Sequence, residues 1–190
     1  MDKRRRLLQL LHERSFRTGH FVLTSGKTSN YYIDVRATST HCEGAALIGD
    51  LLLEIVAEAG GADAVAGMEL GAVPVVMGAV ARSFDAGRPV NALLVRKEAK
   101  GHGAGKRVEG EIRPGMQVLV VDDVVTTAGS TIKTIDAVLA EIPGVNIVGV
   151  AAVVDRNEGG REALAARGFA LRSLVNVKEL FELGERPAAK

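Results

Sequence analysis

Apolar residues along this chain recur in two rhythms. From Glu43 onward, short apolar runs rich in β-branched residues alternate with stretches whose apolar residues fall three and four positions apart. A short bounded run reads as a buried strand, and a 3.6-residue rhythm as a helix with one inward face. Strands are therefore expected at 64–67, 90–95, 118–121, 145–154 and 171–175. Helices are expected at 43–58, from about 73 to 83, at 132–142 with Ile132, Ile135, Leu139 and Ile142 on one face, and at 160–167. Gly60-Gly61 ends the first of these, and Asn176 can cap a final helix with Glu179 as its capping-box partner. Strands alternating with helices predict an α/β architecture, a parallel sheet flanked by helices on both faces.

The first forty residues read differently. Residues 3–14 form an amphipathic helix carrying Leu7, Leu8, Leu10 and Leu11. Phe21/Leu23 and Tyr31/Ile33/Val35 then flank a Ser-Gly-Lys turn, the pattern of two short antiparallel strands. Both tyrosines of the chain are here. The plain reading is a surface hairpin; the sharper one is a hood over a planar ligand, with donors from Ser25, Gly26 and Lys27. No linker separates the parts, so residues 1–190 are expected to form a single domain, with helix and hood over 1–40 and the α/β core over 41–190.

Composition narrows the partners. A net charge of +1 creates no global field toward nucleic acid or acidic membranes. Cys42 is the single cysteine, so no internal disulfide can form and a reducing cytoplasm fits. The thiol is expected to be buried or half-buried. No run approaches the length of a membrane span. The cluster Lys3-Arg4-Arg5-Arg6 lacks the apolar segment of a signal peptide and decorates a first helical turn.

Candidate chemistry gathers at residues 118–131, VLVVDDVVTTAGST. A buried strand is followed by Asp122 and Asp123, and then Thr126, Thr127, Ala128, Gly129, Ser130 and Thr131 open a helix. Free backbone N–H groups at a helix start suit a phosphate. The carboxylates suit ribose hydroxyls or a Mg²⁺ that keeps most of its waters. Together these describe a site for a phosphorylated sugar; the alternative, a mere strand–helix connection with surface acids, seldom carries two acids and four hydroxyls together. Directly after the strand at 90–95 comes a basic glycine-rich loop with Arg96, Lys97, Lys100, His102, Lys106 and Arg107. It reads as a lid that an anion would order, or otherwise as a solvated basic loop or weak RNA contact.

The 118–131 stretch resembles the phosphoribosyl pyrophosphate (PRPP) motif of the type I phosphoribosyltransferases. RKEAKGHG at 96–103 resembles the catalytic loop of the orotate phosphoribosyltransferases, LTSGKTSNYYID at 23–34 their orotate-side segment, and Asp155-Arg156 the place where an arginine holds the orotate carboxylate. The resemblance runs from about residue 18 to 156. It implies the type I phosphoribosyltransferase fold with an N-terminal hood, and transfer of ribose 5-phosphate from PRPP to N1 of orotate, yielding orotidine 5′-monophosphate and pyrophosphate on the route to UMP.

The same resemblance implies Mg²⁺ as cofactor, bound through PRPP and water near Asp122 and Asp123. PRPP would meet Arg96, Lys97, Lys100, His102, Asp122, Asp123, Val124, Val125, Thr126, Thr127, Ala128, Gly129 and Ser130. Lys100, His102, Asp122 and Asp123 would be catalytic, and orotate would meet Thr126, Arg156, Tyr32 and Ile33. It further implies a homodimer sharing Lys100 and His102 across chains, while the single cysteine, the near-neutral charge and the short apolar runs point to a cytoplasmic chain with neither nucleic acid nor membrane as partner. Three positions depart from the family pattern: Ala128 stands where Gly is usual, and Thr24 and Gly71 where some members carry Lys. Gly129 next door is a candidate to take any strain at Ala128, and Glu69 reads as a solvated loop acid rather than a catalytic base. The rivals are a transferase for another nucleobase and a non-catalytic, PRPP-sensing RNA-binding regulator.

Overall fold

The chain opens with the helix its leucines predict. In the computed structural model, which describes residues 2–22, 26, 28–98 and 105–187, α1 (Lys3–Arg14) is capped by the Asp2 side chain and buries Leu7, Leu10 and Leu11. Its basic first turn is consumed internally: Lys3 pairs with Asp50, Arg4 with Glu179 and Arg6 with Glu43. Next, β1 (Phe16–Val22) and β2 (Thr28–Ile33) form a separate antiparallel pair, the expected hairpin, with its first strand beginning earlier than predicted.

The remaining elements are α2 (Arg36–Ser39), α3 (Cys42–Glu58), β3 (Ala64–Met68), α4 (Ala72–Asp85), β4 (Asn91–Val95), β5 (Val108–Gly110), β6 (Gln117–Val125), α5 (Gly129–Glu141), β7 (Asn146–Asp155), α6 (Gly160–Ala165), β8 (Leu171–Asn176) and α7 (Val177–Glu182). The main sheet has the order β5-β4-β3-β6-β7-β8 and is parallel except for β5, an antiparallel edge strand that hydrophobic rhythm did not reveal. The helix α2 was also missed, being four residues long and polar.

The sheet separates two apolar layers. On one face Leu119 and Val121 pack with residues of α1, α3, α4 and α7; on the other Val118 and Val120 pack with α5 and α6. Asn176 forms the expected capping box with Glu179. Two expectations are corrected. Cys42 is exposed, because it starts α3 rather than sitting within its inward face. Leu139 is half exposed, because the inward face of α5 runs through Thr131, Thr134, Ile135 and Val138. Those threonines can be buried because their hydroxyls donate to Asp122 Oδ2 and Ser130 O.

Candidate functional site

Strand order reverses between β3 and β6, and crevices for ligands open at the carboxyl ends of strands at such a switch. The strand β6 runs four residues beyond its predicted end, so both acids lie within it rather than after it. The alternation of a strand then sends neighbouring side chains to opposite faces. Asp122 falls on the α5 side, where it is buried and its Oδ2 accepts from Ser130 Oγ at 2.6 Å and Thr131 Oγ1 at 2.7 Å. It thereby fastens the start of α5 to the strand.

Asp123 looks the other way, into the cleft, whose wall Asp122 also borders. Its Oδ1 accepts the N–H of Val124 at 2.9 Å, and burial together with the Asp122 carboxylate pushes its pKa up to about 7. A Cβ on Gly71, in the turn after β3, would sit 2.4 Å from Asp123 Oδ2. Any side chain there, including the Lys of some family members, requires this carboxylate to move.

The turn from β6 to α5 brings Thr126 and Ser130 to the cleft, with Thr127 and Gly129 exposed beside it. The leading N–H groups of α5 have no acceptor within the helix, and the dipole makes that end positive. Ala128 itself adopts φ 63°, ψ 18°, the left-handed conformation; Gly129 does not relieve it. Its methyl is buried against the α5 layer. Ala128→Gly would release about 1 kcal/mol of strain, but would lose about 0.8 kcal/mol of methyl burial and add flexibility to the unfolded chain worth about 0.4–1 kcal/mol. The terms nearly cancel, so the variant is expected to melt within about 4 °C of the parent, as scanning calorimetry would show. A larger gain would mean that strain dominates.

The cleft has a volume of about 420 Å³. The hood contributes Tyr32, Ile33 and Asp34, with Val35 and Arg36 directly following. Asp34 accepts two hydrogen bonds from the Arg36 guanidinium, which holds its pKa below the usual carboxylate range despite some burial. This ion pair in the cleft was not singled out from the sequence, since nothing in a lone Asp-Val-Arg marks it. Lys97 follows β4 into the cleft, while its backbone N–H donates to Glu69 Oε1 at 3.2 Å. Glu69, a loop acid as expected, links two loops through this exposed contact. The Glu69–Leu70 peptide is cis.

Arg96 does not face this cleft; its Nε donates to Glu109 at 3.0 Å. Its backbone N–H and carbonyl pair with the carbonyl and Nε of Arg107. The carboxylate of Glu141, the last residue of α5, accepts the N–H groups of Arg107 and Val108 at 2.8 and 3.0 Å. Lys100 and His102 lie outside the described residues, as do Thr24, Ser25 and Lys27 of the hairpin turn. Arg156, just past β7, lines the cleft with a side chain 10 % exposed. Its backbone N–H is held by Val125 O at 2.9 Å, and Val124 also borders the cleft. A larger cavity, about 690 Å³, opens at the opposite end of the sheet, but Lys3 and Asp50 in its wall neutralise each other.

Among the described residues no three His, Cys, Asp or Glu side chains converge as a metal cage. The donor set fits a different arrangement. Asp123, beside an Asp122 whose Oδ2 is already committed to two hydroxyls, suits a hydrated Mg²⁺ delivered by a phosphate-bearing ligand. No helix among the described residues is long and apolar enough to cross a membrane.

Residues 39–176 match the family model of the phosphoribosyl transferase domain. The chain is 45% identical over 174 residues to the orotate phosphoribosyltransferase of Pyrococcus furiosus, covering 91% of this chain and 92% of that one. It is structurally similar to the orotate phosphoribosyltransferase of Mycobacterium tuberculosis H37Rv in complex with Fe(III) dicitrate, with a TM-score of 0.81 and 38% identity, over 94% of this chain and 98% of that one. The same mycobacterial enzyme in complex with PRPP superimposes with a TM-score of 0.77 and 35% identity, over 94% and 98% of the two chains.

Proposed function

This chain belongs to the phosphoribosyl transferase family and, within it, to the orotate phosphoribosyltransferases, and on that premise we propose how its cleft carries out their reaction. The chain is a pentosyltransferase (EC 2.4.2.10) of pyrimidine biosynthesis: it transfers the ribose 5-phosphate of PRPP to N1 of orotate, giving orotidine 5′-monophosphate and pyrophosphate. The observation that carries the mechanism is convergence. A helix start, a carboxylate, a lysine and an arginine from the ends of four different structural segments face one cleft at the switch of the sheet.

The backbone of Val124 to Ser130 and the hydroxyls of Thr126, Thr127 and Ser130 cradle the 5′-phosphate at the positive end of α5. Asp123 takes the ribose hydroxyls, and Asp122 works beside it by fastening the cradle. Lys97, with Lys100 and His102, meets the pyrophosphate as negative charge grows on it, where a fixed donor stabilises the transition state more than the ground state. Asp123, beside Asp122, would hold a hydrated Mg²⁺ arriving with PRPP, and that ion would supply further charge neutralisation. Arg156 receives the orotate carboxylate, its planar fork matching that group, while Thr126, Tyr32 and Ile33 bound the base.

A homodimer sharing the basic loop is part of the proposal. It is supported by the exposed apolar residues Met77 and Phe84, seven residues apart on one face of α4, with Leu70 exposed beside its start. Mixing Lys100→Ala chains with Asp123→Asn chains, each inactive alone, is expected to restore about a quarter of the normal activity by forming one intact site in mixed dimers, following statistical association. No recovery after subunit exchange would keep the loop within its own chain. A cytoplasmic location is proposed with it, in keeping with a chain of one cysteine.

The direct test is loss of orotate absorbance with PRPP and Mg²⁺, with hypoxanthine, guanine, xanthine, adenine and uracil assayed alongside. Consumption of orotate alone, abolished by chelating Mg²⁺, is the expected result. Turnover of a different base alone would overturn the roles given to Arg156 and the hood. The basic cluster at the start of α1 gives an RNA-binding role no support: its Lys3, Arg4 and Arg6 are each paired with a carboxylate.

A further inference from the structure

Resting on the reading that Arg156 receives the carboxylate of orotate, we propose that Tyr31 and Glu158 are positioning residues that decide which edge of the Arg156 guanidinium faces the cleft. A guanidinium carries five N–H donors in a rigid plane, so holding one edge fixes the direction of the other. Here the Nε–Nη2 edge is committed within the protein. Nε donates to Tyr31 Oη at 2.9 Å, and Nη2 lies 2.8 Å from Glu158 Oε1. Tyr31 Oη in turn donates to that same Glu158 oxygen at 3.1 Å. The guanidinium carbon stands 4.6 Å from the centre of the Tyr31 ring, a cation–π contact that resists rotation out of this place.

This leaves Nη1 and the second proton of Nη2, the pair whose spacing matches a carboxylate bidentately. The support is itself anchored. The Tyr31 ring packs edge-on to Phe181 at 5.3 Å and against Phe16 at 6.1 Å, and burial raises its pKa so that the hydroxyl stays protonated. Neither Tyr31 nor Glu158 lines the cleft, whereas Arg156 does. Alternation along β2 accounts for the division of labour between the adjacent tyrosines: Tyr32 faces the cleft and Tyr31 the arginine. Docking of the hood thus sets the carboxylate-binding edge of a residue on the far side of the chain.

The test is steady-state kinetics of Tyr31→Phe, Glu158→Ala and Glu158→Gln, with Arg156→Ala as reference. Tyr31→Phe keeps the ring and its packing and removes only the hydroxyl. It is expected to raise KM for orotate about tenfold while KM for PRPP stays within about twofold. Glu158→Ala should behave likewise, and Glu158→Gln, which keeps an acceptor for Nη2, should recover most of the loss. Equal changes in both KM values, or none in Tyr31→Phe, would overturn the proposal by leaving these residues a merely structural role. If Arg156→Ala binds orotate as well as the parent does, the carboxylate assignment itself fails and the proposal with it. If only Arg156→Ala loses orotate affinity, the assignment stands and the positioning role alone falls.

Discussion

Asp123→Asn is expected to lower turnover by about 100-fold or more while making the ligand-free protein more stable at pH 8. The two effects share one cause. Burial and the adjacent Asp122 carboxylate push Asp123 up to about 7, against about 3.9 for an unperturbed Asp. Between those values the folded state holds a proton that the unfolded state has released. Stability therefore falls as pH rises through that window, and the full cost of the buried charge is present above pH 7. Asn retains an oxygen for the Val124 N–H and removes the charge, a gain on the order of 2 kcal/mol at pH 8. The lowered carboxyls Asp34, Glu43, Asp50 and Glu179 contribute with the opposite sign, losing stability only as pH falls below their unfolded values near 4. Urea midpoints of both proteins at pH 5 and pH 8, without PRPP or Mg²⁺, separate the contributions. The parent should lose stability between the two pH values and the variant should not. Identical pH dependence in both would remove Asp123 as the source. In the same parent enzyme, kcat/KM for PRPP should rise with pH up to about 7, the ionised carboxylate being the form proposed to accept ribose hydroxyls.

Gly160→Ala should damage both stability and the phosphate cradle without touching a substrate. A Cβ at Gly160 would sit 2.4 Å from Val125 Cγ1, 2.5 Å from Thr126 O and 3.2 Å from Ala128 N. Two of those atoms are backbone of the turn proposed to cradle the phosphate, so relief requires moving either that turn or the start of α6. Overpacking of this kind costs about 1–3 kcal/mol. Because Thr126 would shift with it, KM for PRPP should rise about tenfold or more, since misplacement on the scale of an ångström costs affinity and rate steeply. Lower thermal stability with an unchanged KM for PRPP would mean that α6 yields and the cradle does not.

What could be read from the sequence was what local pattern records. Strand-helix alternation announced the parallel sheet, and the acids followed by hydroxyls announced the turn that opens α5. Patterns failed where a polar residue took a core position. Thr131 and Thr134 face inward on α5 because Asp122 and the Ser130 carbonyl receive their hydroxyls, so an apolar rhythm alone drew Leu139 inward. Ending the strand at Val121, the last of four consecutive apolar residues, likewise put both acids after it and hid their division between the faces of the sheet. The three-residue β5 is defined by its pairing with β4, and so was not visible in its own sequence. The link from Tyr31 to Arg156 spans 125 residues, and nothing local to either residue signals it.

Helix α5 carries the proposed phosphate cradle on its first turn and, through Glu141 at its other end, grips the N–H groups of Arg107 and Val108. Its 13 residues make it a ruler about 20 Å long between the phosphate site and the stem of the basic loop. A one-residue insertion within it would turn Glu141 by about 100° and advance it by about 1.5 Å, releasing the stem even if every core contact near the cradle survived. Tolerance for insertions in this enzyme should therefore be low along the whole of α5, although only its first turn is proposed to contact substrate.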